Sequence, residues 1–430
     1  MANKYINRIK NTLSYTMVTS KNPDEIKDID TIIDRLKTRC NEYNLEFVSL
    51  GHNENLNCNM AIVKYLNKEF KINFFKETLY KQNIEHLQVY HKLSYPEKET
   101  LEQEEIQGIT VAMDFSQTNF HPVVGLHIQL KFMCCLVEDI SFCVDFNAER
   151  ILSGVWCNIQ AKSQTPPALK YLYTVQGVGS DIDDNKVWLH THGLNRCGFI
   201  ELEIMDSNTE LANDHAIILS NFADWIISNP KPIEEGTPII IGKDIHENNI
   251  ILTWINWMEA NKQYDKMLIG GRNYRDIAHS GPIGTVYAVE DRENSKIVPL
   301  SEVDTSNYKS ILMVLPEQEN VRISSLAKER INFLKNWSAL SSAKAKVKIA
   351  FQIKDDIAEK CGSNFEHLWC DLHKIDKDSV YCEVEQEPRY VSDHVAKGEK
   401  IKISLDNLSD WYLEVDGMQV TPDSVYQLVE

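Results

Sequence analysis

Short apolar runs with two-residue alternation recur along most of this chain, and they restrict it to pleated strands that each bury one face. Leu45–Leu50, Met60–Tyr65 and Phe70–Phe75 read as strands, the last two flanking a polar turn as a hairpin. Ile109–Phe115, Ser141–Phe146, Leu169–Val178, Val187–His192 and Phe199–Met205 continue the pattern. Leu368–Leu372, Val380–Val384, Lys400–Ser404 and Trp411–Val415 close it. Helical spacing is confined to a few stretches. Residues 22–42 carry Ile26, Ile29, Ile33, Leu36 and Cys40 on one stripe, with Asn22 as cap and Pro23 at the first position. The segment after Pro122, residues 215–228 and residues 321–340 also read as helices, and Asn147 reads as the cap of a short one. The expected class is α+β, with mostly antiparallel sheets, helices packed on one side and a small β-rich C-terminal domain.

At 430 residues the chain has room for about three domains. The acidic, proline-led stretch 96–106 and the small-residue, basic stretch 338–346 mark the expected divisions. These give an N-terminal α+β domain at 1–106, a central α+β domain at 107–340 and a β-rich domain at 345–430.

Charge narrows the partners. Lys and Arg number 45 against 63 Asp and Glu, a formal charge of −18. A phosphate backbone needs a basic field, so nucleic acid is excluded as the expected partner, and a basic protein suits the acidic surplus. No uncharged apolar run is long enough to span a bilayer, and Met1–Lys10 lacks the apolar stretch of an export leader. No membrane association and a cytoplasmic location are therefore expected. The ten cysteines show no C-x-x-C spacing and sit in apolar stretches such as Phe132–Val137, as buried reduced thiols would.

Common catalytic signatures fail on inspection. His246–Ile250 begins like H-E-x-x-H but ends in isoleucine, and Gly177–Ile182 lacks the third glycine of a dinucleotide loop. Gly270–Arg275 has no Gly-Lys-Ser/Thr after it, and His279–Gly284 lacks the serine elbow. His367, Cys370 and His373 fall on opposite faces of one strand.

One segment has chemical content: Trp188-Leu-His-Thr-His-Gly-Leu-Asn-Arg-Cys-Gly-Phe-Ile-Glu-Leu-Glu-Ile204. Alternation sets Trp188, His190 and His192 on one face of the first strand. In the second, Ile200, Leu202 and Ile204 face the core and turn Glu201 and Glu203 the other way. A symmetric hairpin sets His190 against Glu201 and Trp188 against Glu203, with Arg196 in the turn. The expected polar cleft is Trp188, His190, His192, Arg196, Glu201 and Glu203. His190, His192 and Glu201 are its candidate ligands for zinc or manganese. H-x-H is shared with JAMM hydrolases, but their downstream serine and aspartate are absent. No cofactor is expected and no residue is assigned as catalytic, a divalent metal being the alternative.

These residues also carry a resemblance. Leu152-Ser-Gly-Val-Trp156, Pro166-Pro167, Tyr171-Leu-Tyr-Thr-Val175, the Trp188–Gly198 run, Thr253-Trp254, Trp257-Met-Glu-Ala260, Gly270-Gly271 and Leu326-Ala-Lys-Glu-Arg-Ile331 are similar to a bacterial family, domain of unknown function 4026. Glu366-His-Leu-Trp369, Glu387-Pro388, Gly398, Asp410-Trp411 and Asp416-Gly417 resemble the YegJ-like domain, domain of unknown function 2314. The resemblance implies a two-family bacterial architecture and transfers no reaction. The functional expectation is a non-catalytic, immunity-like protein-interaction module. Its alternative is a metal-dependent hydrolase using His190, His192 and Glu201 or Glu203.

Overall fold

The N-terminal alternating runs pair in an eight-stranded sheet in the order β2-β3-β4-β6-β1-β7-β8-β5. Its strands are β1 (Leu13–Ser20), β2 (Glu46–Asn53), β3 (Cys58–Tyr65), β4 (Lys68–Tyr80), β5 (Gln88–Val89), β6 (Glu105–Asp114), β7 (Ile140–Asp145) and β8 (Arg150–Ser153). In the computed structural model the described residues are 5–429, apart from 118–119, 230, 244–247, 263, 265–267, 277–278, 280, 292–295, 304–311, 314–316, 341–342 and 362. His246, named above, lies outside them.

Helices α1 (Ile29–Arg39), α2 (Tyr95–Leu101), α3 (Pro122–Leu136) and α4 (Gly154–Lys162) accompany this sheet. α3 is buried along almost its whole length, His127, Gln129 and Lys131 included, because α1 and α4 pack against it and it also meets β6. Asp28, not Asn22, caps α1, while Asn22 caps the preceding 3₁₀ turn Pro23–Ile26. Asn147 caps no helix. It lies in the turn between β7 and β8, where its Oδ1 accepts from the Tyr15 N–H at 2.7 Å. The acidic stretch 96–106 is in part α2, which turns Glu97 inward to accept from Ser153 and the Gly154 N–H, both at 2.8 Å.

The second sheet runs β16-β12-β13-β14-β11-β10-β9, with β15 beside β14. Its strands are β9 (Thr174–Gly179), β10 (Lys186–His192), β11 (Glu201–Asn208), β12 (Ile239–Lys243), β13 (Asn249–Asn256), β14 (Ile283–Asp291), β15 (Lys296–Pro299) and β16 (Leu312–Met313). Residues 169–171 are a 3₁₀ turn rather than the start of a strand. Most pairs in both sheets are antiparallel, whereas β5 with β8 and β11 with β14 are parallel. Helix α5 (Ala212–Ser228) packs on β9, β10 and β11, and the short α6 (Trp257–Ala260) follows β13.

These two sheets form one compact unit, 1–162 with 169–314, and the second unit is 163–168 with 315–430. The division expected at 106 falls inside β6, which hydrogen-bonds to β1 on one side and β4 on the other. The helix expected at 321–340 is two, α7 (Glu317–Glu329) and α8 (Ile331–Trp337), broken at Arg330. Both belong to the second unit, where Leu326, Ala327 and Leu334 are buried and the Trp411 indole donates to the Ala327 carbonyl at 3.0 Å. They pack on a six-stranded sheet, β20-β19-β18-β17-β21-β22. Its strands are β17 (Lys344–Gln352), β18 (Phe365–Ile375), β19 (Ser379–Val384), β20 (Lys400–Ser404), β21 (Leu408–Val415) and β22 (Met418–Val420). The fold is thus α+β, mostly antiparallel, with a β-rich C-terminal region. Nine cysteines are buried and unbridged, and the side chain of Cys361 lies outside the described residues. Among the described residues no helix is long and apolar enough to cross a membrane.

Candidate functional site

β10 and β11 pair antiparallel as their alternation requires, but two residues off the symmetric register. His190 faces Glu203 and Leu189 faces Ile204, with an irregularity between Val187 and Leu189. The connection sets this offset. It contains a 3₁₀ turn, Asn195–Cys197, bounded by Gly193 (φ +112) and Gly198 (φ +81). The N-terminal segment then holds the chain between turn and strand: the Ile9 N–H donates to the Gly198 carbonyl at 3.0 Å, and the Ile200 N–H to that of Asn7 at 3.3 Å. At Gly193 a Cβ would stand 2.5 Å from the Leu172 carbonyl oxygen, so glycine is required there for space as well as dihedral.

Trp188, His190 and His192 do share a face. The Trp188 and His190 rings stand 4.2 Å apart between centres, and those of His190 and His192 4.8 Å. A third imidazole joins them from the loop before β14. His279 lies 4.7 Å from His190 and 5.2 Å from His192 by ring centres, and its Nε2 is 3.2 Å from His190 Nε2. The ligand nitrogens of the three histidines all lie within 4.8 Å of one another. Four-coordinate zinc with bonds of 2.0–2.1 Å needs nitrogens about 3.3 Å apart. The His190–His279 pair is already at that spacing, and His192 needs only a side-chain adjustment.

Carboxylates beside two of the rings, one hydrogen-bonded and one in ion-pair contact, set which ring nitrogens hold lone pairs. His279 Nδ1 is 2.7 Å from Asp276 Oδ1, and His192 Nδ1 is 3.3 Å from Glu149 Oε1. A carboxylate only accepts, so each Nδ1 carries the proton and each Nε2 presents a lone pair. His192 Nε2 is buried with no hydrogen-bond partner among the described residues. Burial first, then the other imidazoles and Arg275, push His190 down to about 2. Burial and then His279 push His192 down to about 4. Both are neutral at physiological pH, the form that binds metal.

The glutamates serve other ends. Glu203 is fully buried; its oxygens accept from Arg275 Nη2 at 2.8 and 2.7 Å, Trp188 Nε1 at 3.0 Å and Thr285 Oγ1 at 2.7 Å. With both oxygens so engaged it is not a metal ligand. Its role is to hold Arg275, whose guanidinium carbon lies 4.2 Å from the centre of the Trp257 ring and whose Nη1 donates to the His279 carbonyl at 3.3 Å. Glu201 shapes the turn, accepting from the Gly193 and Asn195 N–H groups at 3.0 Å each and from Thr191 Oγ1 at 2.7 Å. Burial raises its carboxyl to about 7, against the lowering effect of those bonds. It does not join the imidazoles, and His279 takes the place expected for it.

Arg196 leaves the cleft altogether. It is fully buried, donates to both oxygens of Asp145 at 2.9 Å, and also reaches the Tyr171 and Leu172 carbonyls. It thereby ties the turn to the end of β7.

Local alternation revealed the H-x-H pair, but His279 stands 89 residues downstream of His190, outside any regular element. Its available signal was Asp276, three residues earlier and spaced to bond its ring. Glu149 gave none, since it reaches His192 from a turn of the other sheet, with its backbone at φ +49. Trp188 walls the cluster, and Gly270 (φ +77) packs on it so closely that a Cβ would stand 2.7 Å from the ring.

Family models cover both halves of this site. Residues 14–167 match the model described as "Protein of unknown function (DUF4026) N-terminal", and residues 175–287 its "C-terminal" counterpart. Residues 327–422 match "Uncharacterized protein conserved in bacteria (DUF2314)". No curated protein and no solved structure matches the chain. Glu149 falls in the first matched region and all three histidines in the second, and the chain belongs to the DUF4026 family, with a DUF2314 region at its C-terminal end.

Proposed function

We propose that the chain is a zinc protein, with His190, His192 and His279 as ligands and hydrolysis by a metal-activated water as its reaction class. The carrying observation is the pair of carboxylate-held imidazoles, His192 and His279, whose Nε2 lone pairs face a common centre while that of His192 bonds to nothing described. Metal-binding histidines characteristically donate their second nitrogen to a carboxylate in this way. Three imidazoles favour zinc over manganese, which prefers oxygen donors. Closed structural zinc sites have four protein ligands, whereas three leave a position for water, whose acidity the ion raises. Glu149 and Asp276 orient the ligands, Arg275 and Glu203 hold the His279 loop, and Trp188 walls the centre.

The protein-interaction reading rests on a different observation, the charge of −18, which suits a basic protein partner in an immunity-like role in a bacterial cytoplasm. It needs none of the histidines, so the two readings separate cleanly.

The test is metal analysis and zinc titration of the full chain purified without a histidine tag. One zinc per chain is expected, lost in His192→Ala and retained in His215→Ala, whose ring lies on α5 and bonds Ser207. Chelator-sensitive hydrolysis across a panel of ester, amide and phosphoester substrates should follow the metal. A folded chain that takes up no zinc, or a His192→Ala variant that keeps it, overturns the proposal.

A further inference from the structure

A second site lies in the same unit, away from the imidazoles. The N-terminal segment crosses the second sheet, with Ile6 bridged to Glu234 and Arg8 to Phe199. Between this strap, the end of β13, α6 and the start of β14 is a cavity of about 530 Å³. That lies within the range that takes up small organic ligands.

Its walls are largely apolar: Ile6, Ile200, Ile283, Met258 and the indoles of Trp254 and Trp257. The polar groups among them are unequal. Asn256 Oδ1 is already occupied by the Met258 N–H at 3.0 Å, and Trp257 Nε1 donates to the Gly281 carbonyl at 3.1 Å. Trp254 is 1% exposed and its indole N–H has no hydrogen-bond partner among the described residues. Such a buried donor is normally matched. Arg8 also lines the cavity, its guanidinium carbon 3.9 Å from the centre of the Phe199 ring, which fixes a positive group that only donates.

An apolar cleft with an arginine in its wall selects an apolar molecule ending in a group of negative charge. The geometry points to a binding site for a small apolar carboxylate, its chain among the isoleucines and its carboxylate on Arg8. A neutral alcohol of the same length would keep the apolar contacts and lose the charge-assisted bonds. This site uses none of the zinc ligands.

The experiment is tryptophan-fluorescence and calorimetric titration of the full chain with decanoate and, in parallel, decanol. Decanoate should bind more tightly than decanol. Arg8→Met should weaken decanoate by about tenfold or more, the loss of a charge-assisted hydrogen bond, and leave decanol unchanged. Gly281→Leu should block both ligands by filling the chamber. A Cβ there meets no atom within 4 Å, so the fold tolerates it. His192→Ala should bind decanoate as the unsubstituted chain does, which keeps this result independent of the zinc reading. Equal affinity for decanol and decanoate, no binding of either, or decanoate affinity unchanged in folded Arg8→Met and Gly281→Leu overturns the proposal.

Discussion

Asp145 with Arg196 and the trio His190, His192 and His279 are two buried polar clusters in one unit, completed in different ways. Asp145 receives both terminal nitrogens of Arg196, and every nitrogen of that guanidinium has a partner. His192 and His279 each have a carboxylate at Nδ1, yet His192 Nε2 and His190 Nδ1 are buried with no hydrogen-bond partner among the described residues. A saturated pair of opposite charges holds structure, and its disruption leaves an uncompensated charge in a dry interior. An unsaturated set of neutral bases does not hold structure well, because each unmatched group costs stability. Retaining it makes sense where a cation completes it. The comparison teaches that the residues to suspect of chemistry are those whose bonding is unfinished, rather than those that are merely polar and buried.

The largest effect should fall on the saturated pair. Arg196→Ala should lower stability by about 3–5 kcal/mol in urea unfolding, leaving Asp145 buried with Arg150, 3.5 Å away, as its remaining ion-pair partner. The folded fraction should still bind zinc. If the variant is instead as stable as the original chain and loses zinc, Arg196 belongs to the site and the contrast fails. Next comes the carboxylate on the open cluster. Glu149→Gln keeps the size of the side chain and removes the charge behind His192, and should weaken zinc about 10–100-fold by competition against a chelating dye. An unchanged affinity would show that the outer bond is incidental.

The smallest effect should come from Glu201, which accepts from the turn that joins β10 to β11. Its raised carboxyl means that the folded chain keeps a proton which the unfolded chain releases above the ordinary value of 4.5. Its contribution to stability therefore declines as pH climbs from about 4.5 to about 7. Glu201→Gln should flatten that slope by about 1 kcal/mol, the carboxylate being partly exposed and so partly screened. A slope that Glu201→Gln leaves untouched would assign the pH dependence to another group.

Sequence and structure agree where information is local. The alternation of Val187–His192 and Phe199–Met205 foretold the hairpin and the shared face of Trp188, His190 and His192. What was not legible is what distance contributes. Glu203 sits beside the histidines as expected, yet Arg275 and Thr285, more than 70 residues on, consume its bonds. Arg196 looked like a cleft residue because it stands in the turn, and periodicity gives no direction to a side chain outside a strand. The boundary at 106 failed for a related reason: an acidic, proline-led stretch looks like a linker, but buried Glu97 and the pairing of β6 with β1 and β4 knit it into the first sheet.

The parallel pairing of β11 with β14 sets Glu201 opposite Ile283 and delivers His279 to a hairpin completed long before it in the chain. A ribosome emitting this polypeptide would release His190 and His192 together with their hairpin, and the third imidazole only after the α5, β12 and β13 segments had emerged. The trio cannot exist on the nascent chain at the stage when β10 first pairs. If the trio takes up zinc as proposed, uptake would follow the arrival of the β14 segment and not accompany the closing of the hairpin.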